Sequence, residues 1–240
     1  MSGHSKWKNI MHKKEKTDAQ RAKIFTKIGR EITMAVKEGG PDPTSNAKLK
    51  DIIAKAKENN VPNDNIDRVI KKAAGSGDEN NYEDITYEGY GPRGIAIIVE
   101  TVTDNRNRTA GDLRHYFDKF GGNLGQTGSV SWMFEQKGVI VLEKEEYDED
   151  KLMEALLEAD ILDLVAEEDV FEVYTTPEAL PATKDYLHQK GYVTLSAEVE
   201  QVPNNYISLT DENDQKNMQK LLDMLEEDDD VQNVWHNWEE

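Results

Sequence analysis

Hydrophobic residues in the first third of the chain recur at helical spacing. Residues 17–38 begin with a capping-box pattern, and their apolar positions then repeat every three or four residues: Phe25, Ile28, Ile32, Ala35 and Val36. Three cations, Lys23, Lys27 and Arg30, fall on the opposite side of this helix. Residues 46–58, with Thr44 or Ser45 as the cap, and residues 63–74 repeat the pattern. We therefore predict an all-helical domain over residues 1–77, with a polar arm at its N-terminus.

The pattern changes to alternation after residue 77. Residues 85–90 and 95–102 are typical of strands, residues 109–120 of a helix capped by Thr109, and residues 130–134 of a third strand. Between the helix and the third strand lies a glycine-rich stretch, residues 121–128. A phosphate-binding loop has the reverse order, strand then helix, and this stretch also lacks the lysine of such a loop. The sequence favours a tight connection in which glycines supply positive φ angles.

A second unit follows with the order β-α-β-β-α-β, which is the ferredoxin-like arrangement. The remaining strand, helix and strand, within residues 206–240, are too few to fold alone and could complete the first α/β unit. The prediction is an α+β fold of three domains. These are a helical domain (1–77), a split α/β domain (78–136 plus 206–240) and an inserted ferredoxin-like domain (137–205).

Charge is strongly segregated between the two ends of the chain. Residues 1–75 hold 17 basic and nine acidic residues, whereas residues 76–240 hold 12 basic and 39 acidic residues, within a net charge of −19. Solubility does not require this division, and a basic end on an acidic body indicates a surface for a polyanion. The candidate nucleic-acid contacts are Lys6, Trp7, Lys8, His12, Lys13 and Lys14 in the arm and Lys23, Lys27 and Arg30 on the first helix.

These candidates have less specific explanations as well. Lysines neutralise phosphates and an indole can stack on an unpaired base, but Trp7 could equally anchor the arm to the helices. The arm lysines could also form no more than a solvated tail. A second group of cations could bind a phosphate or a partner's carboxylate, or could pair with neighbouring acids: Arg106, Arg108 and Arg114.

The composition argues against several function classes. The chain has no cysteine, its five histidines are not at metal-ligand spacing, and no nucleophile signature is present. The acidic runs lack the alternating ligands and central glycine of a calcium loop. No apolar run approaches the ~20 residues of a membrane helix, and no signal peptide is evident. We expect a cytoplasmic protein that is not an enzyme and uses no cofactor, metal, membrane or small-molecule substrate.

Five motifs resemble those of the YebC/PmpR family. They are GHSKWKNI (3–10), KIFTKIGREI (23–32), YEGYGPRG (87–94), TDNRNRT (103–109) and GGNLGQTGSVSWMF (121–134). The resemblance implies a helical N-terminal domain and two α/β domains, the third inserted into the second, with no known catalytic residues. It also implies a DNA-binding transcriptional regulator. Met11 and Lys13 stand where relatives often carry a basic residue and an arginine, which weakens the argument for base-specific readout by the arm.

Three functional hypotheses follow. The first is a regulator of gene expression that binds DNA through the basic arm and first helix, leaving the acidic domains available for a protein partner. The second is a ribosome-associated translation factor that binds ribosomal RNA through the same surface, as family members related to the mitochondrial translational activator of cytochrome oxidase imply. No helix rich in base-reading residues stands out, which suits the second hypothesis. The third is a protein-interaction scaffold with an acidic partner.

Overall fold

The computed structural model of the chain describes residues 18–75 and 81–239, with side chains from residue 21 onward. The arm candidates Lys6, Trp7, Lys8, His12, Lys13 and Lys14 therefore lie outside the described residues. The helices are α1 (Asp18–Gly39), α2 (Ala47–Glu58), α3 (Asn63–Ala74), α4 (Arg106–Lys119), α5 (Glu149–Leu156), α6 (Leu180–Gln189) and α7 (Glu212–Glu227). The strands are β1 (Glu83–Tyr90), β2 (Ala96–Thr103), β3 (Asn123–Leu124), β4 (Phe134–Glu143), β5 (Asp163–Ala166), β6 (Val170–Thr175), β7 (Ser196–Pro203), β8 (Ile207–Ser208), β9 (Val231–His236) and β10 (Trp238–Glu239). The α+β fold class is as predicted.

The three N-terminal helices share one hydrophobic core. Ile28 and Ile32 of α1 pack against Leu49 of α2 and Ile66 of α3. Asn46, and not Thr44 or Ser45, caps α2, because its side chain accepts the Leu49 N–H at 3.0 Å. The amide of Asn46 also donates to Ala35 O at 2.7 Å and so ties α2 to α1. This second role explains why a buried asparagine, and not an exposed hydroxyl residue, occupies the cap.

The first sheet has the strand order β3-β1-β2-β9, so a strand from near the C-terminus completes it. Its central strand β2 is buried on both faces. Ile97 and Val99 face a core built with α4 and α7, and Ala96 and Ile98 face a second cluster that contains Phe134. β8 and β10 form a separate parallel pair beside it.

The second sheet has the strand order β5-β6-β4-β7, and all its neighbouring strands are antiparallel. With α5 and α6 supplying Leu152, Leu156 and Leu187 to the core, this is the ferredoxin-like arrangement that the sequence predicts. The chain enters this unit through β4 and leaves through β7, and only afterwards adds α7 and β9 to the first unit.

The predicted strand over residues 130–134 is wrong. Residues Ser131–Met133 form a 3-10 turn, and β4 begins at Phe134. The carboxylate of Glu88 in β1 accepts the backbone N–H groups of Gly128 and Val130 at 2.7 Å and of Ser131 at 2.8 Å. These three bonds hold the segment in a turn beside β1. The third strand of the first sheet is instead the short β3.

The glycine-rich stretch is the tight connection that was predicted. Gly121 and Gly128 have φ angles of 81° and 86°, which side-chain-bearing residues rarely adopt. At Gly122 the constraint is close approach, since a Cβ atom would lie 2.2 Å from Tyr90 O. The stretch thus closes against β1 and shows no features of a phosphate loop. Within the described ranges, no helix is long and apolar enough to cross a membrane.

We expect His236 in β9 to make the protein less stable in mild acid. Burial lowers the pKa of its imidazole from 6.5 to about 4. Below pH 6.5 the imidazole is protonated in the unfolded chain but stays neutral in the folded chain. The free energy of unfolding therefore falls by about 3 kcal/mol between pH 6.5 and 4. His236→Asn keeps an acceptor for the Trp238 N–H and should remove this part of the pH dependence. Urea unfolding across this pH range measures it, with His115→Asn on exposed α4 as the control. Parallel pH profiles for wild type and His236→Asn would contradict the prediction.

Candidate nucleic-acid interface

The three α1 cations lie on one face of the helix, and this face contacts the C-terminal end of α7. Lys23 Nζ donates to Glu227 O at 3.1 Å and Lys27 Nζ donates to Glu226 O at 2.9 Å. Carbonyl groups at a helix C-terminus have no partners within the helix and carry its negative dipole end. The pKa of Lys27 is lowered because burial outweighs the attraction of the nearby carboxylates. In this arrangement the lysines join the helical domain to the first sheet.

Arg30 extends this contact into the protein. Its Nη1 donates to Asp229 O at 2.8 Å, to Val102 O at 3.1 Å and to the carboxylate of Asp230. Its guanidinium also lies 5.5 Å from the centre of the Tyr82 ring, within range of a cation–π interaction. Arg30 thus contacts the strand β2, the turn after α7 and the segment that precedes β1. We call this interface, formed by Lys23, Lys27 and Arg30 with residues 226–230, the α1–α7 contact.

Asp230 is the buried centre of the α1–α7 contact and is only 4% exposed. Besides Arg30, its carboxylate accepts Arg108 Nη2 at 2.8 Å, and the hydroxyls of Thr103 and Thr109 lie 3.2 and 2.7 Å from its Oδ2. Burial acts to raise the pKa of Asp230, but the hydrogen bonds from Arg108, Thr109 and Arg30 outweigh it and lower the pKa below 3.8. Asp230 is therefore ionised and bridges cations from two domains.

Two of the secondary candidates are paired locally. Arg106 Nη2 lies 3.3 Å from Glu83, and Arg108 contacts both Asp104 and Asp230. Arg114 is exposed on α4. The predicted cap of α4 is wrong, because Asn105 accepts the Arg108 N–H and caps the helix, whereas the Thr109 hydroxyl is directed to Asp230. For Arg106 and Arg108 the structure shows the pairing with neighbouring acids that the sequence left open.

Exposed cations that the sequence analysis did not single out lie on the other two helices of the domain. They share an outward position, opposite the residues that face the core, and they are Lys50, Lys57, Arg68, Lys71 and Lys72. Lys48 and Lys55, by contrast, pair with Glu38 and Glu31. The signal was available in the sequence, since these residues occupy the polar side of two helices whose apolar spacing is regular.

The order of charges along α3 argues against a DNA-reading helix. α2 and α3 are joined by a four-residue connection, as in a helix-turn-helix. A recognition helix presents its N-terminal residues to base edges, but the first turns of α3 carry Asp64 and Asp67. Of its cations, Arg68 lies in the middle of the helix, and Lys71 and Lys72 lie in the last turn. Contacts from this helix are thus suited to phosphates, not to base edges.

A cleft of about 420 Å³ separates the helical domain from the first sheet. Acids and lysines both line it, and burial raises the pKa of Asp84 and Glu100 there. A surface with this excess of carboxylates repels phosphate. Among the described residues, no group of three histidines or acids could hold a metal ion. The exposed helical cations are therefore the better candidates for a polyanion.

Comparison with known proteins identifies the family. The N-terminal domain of the TACO1/YebC proteins matches residues 5–76, and the second and third domains of TACO1/YebC match residues 82–238. This chain belongs to the TACO1/YebC family. The assignment agrees with the motifs that first suggested it.

Curated relatives and a solved structure extend this result. A protein of Acetivibrio thermocellus is 59% identical over 99% of both chains, and one of Caldicellulosiruptor saccharolyticus is 58% identical over 100% of this chain and 99% of the relative. Both are named probable transcriptional regulatory protein. The crystal structure of a conserved hypothetical protein from Aquifex aeolicus superposes with a TM-score of 0.83 at 43% identity, covering 94% of this chain and 93% of the other. The chain is thus a regulator by family.

Proposed function

We propose that the protein is a DNA-binding transcriptional regulator whose helical domain contacts the phosphate backbone. The observation that carries the proposal is the row of exposed cations on α2 and α3, in a chain whose remainder is strongly acidic. Lys50 and Lys57, seven residues apart, share one stripe of α2. Arg68, Lys71 and Lys72 share the outward side of α3.

Phosphate recognition needs point charges that can give up their water and counterions. Lysine and arginine side chains on a helix meet this need, and each phosphate contact releases about 0.9 counterion from duplex DNA. The acids of residues 76–240 repel the same polyanion, so they favour binding that is restricted to the helical end. The arm residues Lys6, Trp7, Lys8, His12, Lys13 and Lys14 lie outside the described residues and stay candidate contacts by residue type, with Trp7 a candidate for stacking on a base.

Ribosomal RNA is the alternative target, and one observation favours it. Asp64 and Asp67 occupy the turns of α3 that would have to read base edges, so specificity for a duplex sequence has no evident source there. Phosphate contacts position a protein but carry no sequence information. The same cations would suit the backbone of a structured RNA. A scaffold with an acidic protein partner would use them as well.

Charge reversal on α3 tests the proposal. The triple variant Arg68→Glu, Lys71→Glu, Lys72→Glu should bind labelled duplex DNA at least ~100-fold more weakly at low salt. The slope of log K against log salt should become about 2.7 less negative, since three phosphate contacts are lost. The control reverses three exposed lysines of the other domains, Lys119, Lys151 and Lys220. Fluorescence anisotropy measures binding, and circular dichroism checks folding. Equal binding by both folded variants would refute this interface.

Sedimentation of cell lysate, together with duplex-binding measurements, distinguishes DNA from ribosomal RNA as the target. A transcriptional regulator should bind its site at least ~10³-fold better than random DNA and should remain at the top of a sucrose gradient. A ribosomal factor should travel with ribosomal particles and discriminate poorly among duplexes. Ribosome association without any preferred duplex would reject the DNA proposal in favour of the RNA one.

A further inference from the structure

The α1 face predicted to bind nucleic acid is already occupied by the protein's own negative charges. Lys23, Lys27 and Arg30 donate to the carbonyls of residues 227, 226 and 229, respectively. The carboxylates of Glu226, Asp228 and Asp229 add to the field at Lys27. A phosphate backbone would likewise offer these cations a row of oxygen acceptors, and its oxygens carry charge, whereas the end of α7 offers neutral carbonyl oxygens with carboxylates nearby.

We propose that the end of α7, residues 226–230, is an autoinhibitory substitute for nucleic acid, which covers a second polyanion site on α1. The proposal rests on the proposed function, because it assumes that α2 and α3 bring nucleic acid to the helical domain. When the outer part of the α1–α7 contact opens, Lys23 and Lys27 become available to a polyanion in addition to the exposed cations of α2 and α3, while Arg30 stays paired with Asp230. When the contact is closed, the exposed cations of α2 and α3 are the ones available in the described helical domain.

The exposure of the acids sets how strongly the contact is held. Glu226, Glu227 and Asp229 are exposed, so water and salt screen the attraction of Glu226 and Asp229 for Lys27. Asp230 is buried and supports the fold of the first sheet as well as the contact. The outer part of the contact is thus weak enough for a nucleic acid to displace, whereas the inner part fixes the position to which the domains return.

The energetic consequence is a reduced apparent affinity. The apparent association constant of a site equals its intrinsic association constant multiplied by the fraction of molecules in which the site is open. A contact that leaves one molecule in ten open lowers the affinity of the α1 cations about tenfold. Removing the outer acids should raise the open fraction, and affinity should rise with it.

The test neutralises the outer acids and leaves Asp230 in place. The contact variant carries Glu226→Gln, Glu227→Gln and Asp229→Asn. The matched control carries Glu145→Gln, Glu146→Gln and Asp150→Asn, which make the same change in net charge at exposed positions of the ferredoxin-like unit. With mixed-sequence duplex DNA as the probe, the contact variant should bind about tenfold more tightly than wild type. The control should gain less than ~3-fold, from its altered net charge alone. Equal gains for the two variants would overturn the proposal.

A second pair of substitutions shows which residues the contact covers. Adding Lys23→Gln and Lys27→Gln to the contact variant should abolish its gain, because the cations that the open contact releases are then absent. An undiminished gain in the combined variant would overturn the proposal, because the α1 lysines would not be the site released. If neither wild type nor the contact variant binds the probe at low salt, the proposed function itself fails. If wild type binds and the contact variant gains no more than the control, only autoinhibition fails.

A chemical cross-link between positions 23 and 227 can hold the α1–α7 contact closed. The chain has no cysteine, so Lys23→Cys and Glu227→Cys can be joined selectively by a short bismaleimide. Cross-linking should return a variant that also carries Glu226→Gln and Asp229→Asn to the affinity of wild type, whereas the uncross-linked sample should keep its gain. Equal affinity before and after cross-linking would contradict a contact that must open.

Discussion

Replacing Asp230 by alanine should destabilise the protein by about 3–5 kcal/mol. The substitution leaves Arg30 without its carboxylate partner and Arg108 with Asp104 alone, and it removes the acceptor near the Thr103 and Thr109 hydroxyls. An uncompensated charge at a partly buried position costs more than the original pair contributed. Urea unfolding followed by circular dichroism measures the loss.

The neighbouring acid supplies the control for this experiment. Asp229 is exposed and contributes its backbone carbonyl, not its carboxylate, to Arg30, so Asp229→Ala should cost less than ~1 kcal/mol. Asp230→Asn should fall between the two, because the amide keeps one acceptor oxygen but loses the charge. Similar unfolding midpoints for Asp230→Ala and Asp229→Ala would show that Asp230 does not hold the domains together.

Replacing Glu88 by alanine should cost about 2–4 kcal/mol. The substitution leaves three backbone N–H groups, at residues 128, 130 and 131, without their acceptor. The buried Val130 donor left unpaired costs about 1–3 kcal/mol, and the donors of the exposed residues Gly128 and Ser131 cost less because water can replace the acceptor. Burial acts to raise the pKa of Glu88, but the three backbone hydrogen bonds outweigh it and lower the pKa below 4.5. The stabilisation by Glu88 is therefore complete above pH 4.5 and is lost as pH falls through the lowered pKa.

Replacing Glu88 by alanine should also loosen the turn at residues 128–131, in addition to lowering the free energy of unfolding. Hydrogen exchange should show faster exchange at residues 128–131 in Glu88→Ala than in wild type, because these amides lose their protection. Glu135→Ala is the comparison, since Glu135 is exposed and pairs only with Lys137 in the described part of the chain. It should leave both stability and exchange nearly unchanged. Unaltered exchange at residues 128–131 in Glu88→Ala would show that the carboxylate does not shape the turn.

Local sequence signals predicted the helices well. The prediction of residues 63–74 agrees with α3, and the helix predicted within residues 206–240 is α7 (Glu212–Glu227). In both cases a strong apolar period is bounded by residues that start or stop a helix, such as Pro62 and Gly75. The apolar period and the boundary residues lie within or next to the helix itself, so they can be identified from the local sequence.

Two of the errors arise where a distant residue decides the local structure. The turn at residues 131–133 depends on Glu88, some 40 residues earlier, and Thr109 is drawn to Asp230, 121 residues later. The cationic face of α1 was predicted, but the group that contacts it lies about 200 residues away. No periodicity within α1 could have identified that partner. The exposed cations of α2 and α3 were available from local pattern alone.

The way the ferredoxin-like unit is attached has a consequence for how the fold can be altered. Phe134 at the start of β4 pairs with Pro203 at the end of β7, and Asn204 N donates to Met133 O at 2.8 Å. The entry and exit of residues 134–203 are therefore neighbours, as the two ends of a hairpin are. In terms of connectivity, the whole unit occupies the position of one surface loop between Met133 and Asn204. The entropic cost of bringing the two ends of such a loop together depends only weakly on its length. A short turn joining Met133 to Asn204 could replace it, provided that a hydrophobic side chain still fills the place of Phe134 beside Ala96 and Ile98.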